Sequence, residues 1–143
     1  MPKKILFVCT GNSCRSVMAE GLFKKIMASR STEFEARSAG VGAIGGFPAT
    51  SETIRVMKEE EGVDVSQHRS QRLTVEMVQS SDRIYVMEKI HQEWVLRLEP
   101  LAQDKLHLLG DSDIPDPIRM SYDFYKNVLT VIRHSLKKIT EEL

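Results

Sequence analysis

The sequence predicts an α/β fold, a parallel sheet covered by helices on both faces, from three observations. A short apolar, β-rich run, Ile5-Leu6-Phe7-Val8, opens the chain, as the central strand of a parallel sheet does when both its faces are buried. Strand-like and helix-like stretches then alternate, which implies right-handed βαβ crossovers. The 143 residues are 41% hydrophobic and 28% charged, the balance of one compact domain spanning 1–143.

The elements follow in order. After the strand at 5–8 comes a polar turn, Thr10-Gly11-Asn12-Ser13. Residues 15–28 then read as a helix, with Met18, Leu22, Ile26 and Ala19, Phe23 recurring at spacings of three and four. Residues 34–38 read as a second strand. The stretch 39–46 holds four glycines and reads as a flexible loop able to fold closely over a neighbouring site. A helix at 50–60 uses Ile54, Val56 and Met57 as its apolar positions and Gly62 as its stop. A short helix at 73–79, a strand at 83–87 and a helix at 90–98 closed by Pro100 come next. Residues 105–109 make a fourth short strand, and 111–120 an acidic, proline-containing loop. The helix at 122–142 carries the apolar stripe Phe124, Val128, Val131, Ile132, Leu136 and Ile139, read as core-facing. No repeat, linker or low-complexity tract interrupts the pattern.

Charge and composition exclude several functions. Twenty basic and twenty acidic residues give a formal net charge of zero, which argues against nucleic-acid binding by bulk electrostatics. No apolar run approaches the roughly 18 residues of a membrane span. Met1-Pro2-Lys3-Lys4 precedes only four apolar residues, too short a core for a signal peptide, so a cytoplasmic protein without a membrane partner is expected. Two cysteines cannot build a disulfide framework.

In open α/β sheets ligands bind beyond the carboxyl ends of the strands, so the segment after the first strand comes first. It reads Cys9-Thr10-Gly11-Asn12-Ser13-Cys14-Arg15-Ser16. Five residues between Cys9 and Arg15 suffice to curl the backbone so that successive N–H groups of residues 10–16 point into one bowl. Such a bowl suits a tetrahedral oxyanion, because the helix N-terminus adds free donors and partial positive charge. Arg15 can clamp two oxygens with its planar guanidinium, and Gly11 is expected to supply the unusual backbone angle of the curl. A cysteine at the base of the bowl feels the helix terminus, the guanidinium and the Ser16 hydroxyl, all of which favour the nucleophilic thiolate. A lone strand-end cysteine is usually packing; the pairing with Arg15 across a Gly/Asn/Ser turn argues otherwise here.

Expelling an alkoxide or phenoxide from phosphate also needs a proton. Asp111, Asp113 and Asp116 crowd one loop. Asp116 is the best candidate, because Pro117 stiffens it into an extended conformation; the commoner fate of a loop aspartate is to bond its own turn. Asp113 either orients Asp116 or is simply solvated.

The Cys9–Ser16 segment, followed by Met18-Ala19-Glu20, resembles the low-molecular-weight protein tyrosine phosphatases, and the likeness extends over nearly the whole chain. Arg37-Ser38-Ala39-Gly40, Gly62-Val63 with His68-Arg69, and Asp113-Ile114-Pro115-Asp116-Pro117 resemble further family segments. Val17 stands where the family usually has proline. The resemblance implies a three-layer α/β/α domain with a four-stranded parallel sheet, acting on phosphorylated proteins as a monomer. It implies hydrolysis through a phosphocysteine intermediate, with Cys9, Arg15 and Asp116 catalytic and no metal or cofactor. It also implies that Asn12, His68 and Ser38 support the loop.

Cys14 has two readings: partner of Cys9 in the family's protective disulfide, or inert helix packing. Ser13 holds the position that is threonine in protein arginine phosphatases, and Ile118-Arg119-Met120 lacks the aromatic pair that often sandwiches phosphotyrosine. Ser13 and Phe47 are therefore the candidate pocket residues, with Tyr122 and Tyr125 as substitutes whose ordinary role is packing. Phosphotyrosine-type substrates rank ahead of phosphoarginine. Arsenate reduction lacks relay cysteines beyond Cys14. A non-catalytic phosphate-binding module would usually have lost the nucleophile or the acid, and this chain has both.

Overall fold

The computed structural model describes all residues, 1–143. Four strands, β1 (Lys3–Cys9), β2 (Phe34–Gly40), β3 (Arg83–Val86) and β4 (Leu106–Leu108), form one sheet in the order β2-β1-β3-β4. Every pairing is parallel. Five helices surround it: α1 (Arg15–Ile26), α2 (Ser51–Glu61), α3 (Val75–Ser80), α4 (Lys89–Leu98) and α5 (Tyr122–Thr140). The chain passes from β1 to β2 on one side and then crosses back past β1 to β3 on the other. The carboxyl end of β1 is thus a topological switch point, the place where such sheets open a crevice.

The alternation of β1 divides the core. Ile5, Phe7 and Cys9 join Tyr85 with α1, α2 and α5 on one face. Leu6 and Val8 join Ile84 and Val86 with Val78 of α3 and Val95 of α4 on the other. Both sides of β1 are therefore apolar, which is why 5–8 reads as an unbroken hydrophobic run.

Helix limits follow local chemistry. Thr50, Thr74 and Ser121 cap α2, α3 and α5, their hydroxyls accepting from Thr53, Met77 and Phe124 N–H at 3.2 Å. Gly62 ends α2 with a left-handed φ of 67°. The first helix stops at Ile26 and continues as a 3₁₀ turn at Ala28–Arg30, shorter than the 15–28 expected. On α5, Val131 is 44% exposed and not core-facing. Tyr125 and Leu129 point inward in the company of Val128, Ile132 and Leu136, because the true stripe runs at spacings of three and four from Tyr125.

The segment 39–46 is stitched down rather than free. Gly40 still belongs to β2, Val41 and Gly42 N–H donate to the Cys9 and Thr10 carbonyls at 2.9 Å, and Gly46 N–H donates to Ser70. The close approach depends on glycine at position 40, where an added Cβ would sit 2.5 Å from Thr10 O and 2.8 Å from Asn12 N. A Cβ on Gly42 would meet nothing nearer than 3.8 Å. Gly40→Ala is therefore expected to lower unfolding free energy by about 2 kcal/mol or more. Gly42→Ala should stay within about 0.5 kcal/mol of the parent. Urea midpoints of the two variants check the contrast.

Candidate active site

Cys9 ends β1 and Arg15 opens α1, so the six-residue step between them crosses from strand to helix at the switch point. The left-handed residue of this turn is Asn12, with φ 54°, and not Gly11 as expected. Asparagine tolerates that region better than most residues, and here it is bonded from three sides. Its Oδ1 accepts from Gln71 N–H at 2.9 Å, its carbonyl accepts from His68 Nε2 at 2.8 Å, and its Nδ2 donates to Ser16 Oγ at 2.8 Å. The Ser16 hydroxyl hydrogen is left for Cys9, whose sulfur lies 2.9 Å away.

The curl leaves the N–H groups of Gly11, Asn12, Ser13 and Cys14 with no protein acceptor. α1 carries no side-chain cap and no acidic residue in its first turn. Its positive end therefore stays uncompensated. Cys9, Thr10, Gly11, Ser13, Cys14, Arg15, Asp116 and Ile118 line one cavity of about 110 Å³. A larger groove of about 770 Å³ lies beside Phe23, Met27 and Phe34, but no nucleophilic cysteine lines it.

Arg15 is almost wholly buried. Its Nη1 donates to Glu88 Oε2 at 2.7 Å and to the Ile114 carbonyl at 2.6 Å. The hydrogens on Nε and Nη2 are left without a protein acceptor, and Asp116 Oδ2 lies 3.7 Å from Nη2, a charge contact rather than a hydrogen bond. Asp116 also does what loop aspartates ordinarily do: its Oδ1 accepts from Ile118 N–H at 3.1 Å. That turn aims the other oxygen at the cavity. Asp113 accepts from Lys89 N–H at 2.9 Å, and Ile114 N–H donates to Met87 O at 2.8 Å. Both bonds dock the acid loop on the end of β3.

Other expected residues stand elsewhere. Ser38 is buried in β2, and its hydroxyl donates to Glu20 at 2.6 Å, so it joins β2 to α1 rather than touching the loop. Phe47 is 58% exposed and does not line the cavity; its N–H donates to Ser70 Oγ and its carbonyl accepts from Ser70 N–H, which fixes its main chain and leaves the ring outside. Tyr125 is buried with its hydroxyl near Cys14 Sγ (3.6 Å) and Thr50 (3.3 Å), and burial raises its phenol above the usual range. Tyr122 donates to Glu59 at 2.7 Å, away from the cavity. Cys9 and Cys14 are both free thiols.

Glu88, His91 and Gln71 are not among the residues expected from sequence, and Ile118 is named there only as part of a stretch without aromatics. One signal was there for Glu88: it directly follows the β3 segment, whose carboxyl end must adjoin that of β1. His91 is fully buried, with Nε2 2.9 Å from Thr10 Oγ1 and Nδ1 3.0 Å from Glu88 N. Burial first, and the nearby Arg15 guanidinium second, push its pKa down to about 4. An unfolded chain takes up this proton near pH 6.5, the folded chain only near pH 4. Stability is thus lost as pH falls through that window, by roughly 3 kcal/mol from this group. His91→Gln should flatten the dependence, which urea midpoints measured from pH 7 to pH 4 for both proteins would show.

Residues 4–143 match the model of the low molecular weight phosphotyrosine protein phosphatase family. The chain is 37% identical over 142 residues to AmsI of Erwinia amylovora, a probable low molecular weight protein-tyrosine-phosphatase, covering 96% of this chain and 95% of that one. It is 32% identical over 145 residues to the protein-arginine-phosphatase of Bacillus subtilis, covering 97% and 95%. The low molecular weight protein tyrosine phosphatase of T. tengcongensis superposes with a TM-score of 0.94 at 36% identity over 99% of both chains. With Cys9, Arg15 and Asp116 lining one cavity at the strand-to-helix turn, the chain belongs to the low molecular weight phosphotyrosine protein phosphatase family.

Proposed function

We propose that this protein is a cysteine-dependent phosphatase that hydrolyses phosphotyrosine-type groups on proteins. One observation carries the proposal: Cys9, Arg15 and Asp116 line the same 110 Å³ cavity as Gly11, Ser13 and Cys14, whose backbone N–H groups are free. That volume is well below the roughly 300–1,000 Å³ of sites that engulf whole small molecules. It suits a phosphoryl group whose carrier stays outside.

The Cys9 thiolate, held by the Ser16 hydroxyl, attacks phosphorus in line with the leaving oxygen. The amides of residues 11–14 and the free edge of Arg15 stabilise the equatorial oxygens, where charge is spread in the transition state. Asp116, its side chain 42% exposed, protonates the departing phenoxide as the P–O bond breaks. The same carboxylate then takes a proton from water, which attacks phosphorus, returns the thiolate and releases inorganic phosphate. Backbone dipoles and Arg15 supply the positive field, so no metal enters the scheme.

We further infer a monomeric cytoplasmic enzyme without nucleic-acid or membrane partners. The zero formal net charge supports the first exclusion. No helix is long and apolar enough to cross a membrane. A second substrate reading is supported by Ser13 in the cavity wall and Ile118 at its mouth, a polar and an aliphatic surface where an aromatic clamp would favour phosphotyrosine, and by the Bacillus subtilis relative. The phosphotyrosine reading ranks first, because AmsI and the T. tengcongensis protein are both described as tyrosine phosphatases.

Cys9→Ser is expected to abolish turnover of an aryl phosphate while leaving inorganic phosphate binding measurable by calorimetry. Asp116→Asn should cut kcat by about 10²–10⁴-fold on substrates with poor leaving groups. Vanadate should inhibit the parent enzyme and a chelator should not; full activity in Cys9→Ser would refute the scheme. Matched phosphotyrosine and phosphoarginine peptides decide the substrate: a higher kcat/KM on phosphotyrosine is expected, and about a tenfold preference for phosphoarginine, some 1.4 kcal/mol, reverses the ranking.

A further inference from the structure

His91 takes no part in the steps above, yet it is a fully buried polar ring at the third position of α4. Its two nitrogens have fixed duties. The Glu88 backbone N–H can only donate, so Nδ1, 3.0 Å away, carries a lone pair. In the neutral ring the hydrogen then sits on Nε2 and is donated to Thr10 Oγ1 at 2.9 Å. Glu88 Oε2, at 3.8 Å from Nε2, is too far to compete.

The two partners belong to different parts of the site. Thr10 directly follows the proposed nucleophile, and its peptide link to Gly11 supplies the first free amide of the bowl. Glu88 is the carboxylate that grips Arg15. Without the ring, an exposed threonine at the cavity mouth would have only its carbonyl, bonded to Gly42 N–H, to hold it. We propose that His91 is a positioning residue for the phosphate site, its Nε2–H orienting Thr10 and with it the Gly11 amide, while its Nδ1 holds the turn that presents Glu88 to Arg15. This inference rests on the phosphatase reading and adds a residue to it.

Three substitutions separate the two bonds. His91→Gln carries a side-chain nitrogen out to the place of Nε2 and keeps a donor for Thr10. His91→Asn reaches only the place of Nδ1 and loses that donor. Thr10→Val removes the acceptor at an exposed position, so it tests the bond without opening the core. Thr10→Val and His91→Asn are each expected to lower kcat on an aryl phosphate about tenfold, the weight of one buried hydrogen bond, and to weaken inorganic phosphate binding. The double variant should be no worse than either single one. His91→Gln should hold kcat within about threefold of the parent even if its melting temperature drops, because it keeps the donor.

Wild-type kcat and phosphate affinity in Thr10→Val would overturn the assignment. So would multiplicative losses in the double variant, or a His91→Gln enzyme as slow as His91→Asn. A parent protein with no turnover would refute the phosphatase reading instead. Phosphate titration of the same variants would still show whether Thr10 and His91 act as one unit.

Discussion

The site depends on one residue held in a backbone conformation that most side chains avoid. Asn12 turns the chain left-handed between strand and helix, at a cost of about 1–2 kcal/mol for a residue with a Cβ. Three buried or half-buried hydrogen bonds converge on it from His68, Gln71 and Ser16. At about 0.5–1.5 kcal/mol each they outweigh that cost. A glycine there would adopt the angle more easily but could make only the carbonyl bond. Asparagine makes the curl and, through Nδ2, directs the Ser16 hydroxyl toward Cys9. Loop shape and sulfur environment thus come from the same side chain.

The sheet brings those partners within reach. Gly40 ends β2 beside Cys9, and the passing segment docks on it, with Gly40 N–H donating to Gln71 O and Leu73 N–H to Gly40 O. This short parallel contact at Arg72 acts as a fragment of a further strand. It delivers Gln71 and His68 to Asn12 from the β2 side, while β3 delivers Glu88 and His91 from the other. A Cβ at Gly40 would strike the Thr10 carbonyl, so the closeness of the sheet edge to the loop is a backbone property that no side-chain choice elsewhere could restore.

The parts legible in sequence were those governed by short-range periodicity and by bond spacing along the chain. The buried run at 5–8, the helical stripes and the caps are local signals, and the structure extends or trims them by a few residues. The bracket of Cys9 and Arg15 was visible because strand-to-helix geometry alone sets where each falls. Long-range assignments were harder. Gly11 looked like the residue for the unusual angle, since glycine adopts it at least cost, yet tertiary bonds from positions 68 and 71 made asparagine the better choice. Ser38 lay in a family-like segment, but the pleat of β2 turns its hydroxyl to Glu20. Glu88 and His91 sit more than 70 residues from the loop they touch. No spacing rule marks them; only the strand order 2-1-3-4 does.

Arg15 ties the Asp116 loop to the turn between β1 and α1. A guanidinium has two usable edges. Its Nη1 corner is occupied by Glu88 and by the Ile114 carbonyl, so the side facing the cavity is the pair Nε and Nη2. Those atoms are spaced to meet two oxygens of a phosphoryl group, and Asp116 stands beside the second of them. The carboxylate of Glu88 offsets one positive charge, yet its larger effect is geometric: it removes the rotations a long side chain would otherwise have to lose on binding. Because Ile114 is itself buried and tied to Met87, the carbonyl that holds Arg15 also sets the distance to the aspartate two residues later. Arg15 and Asp116 are therefore held from one shared anchor, the Ile114 carbonyl and the backbone that follows it.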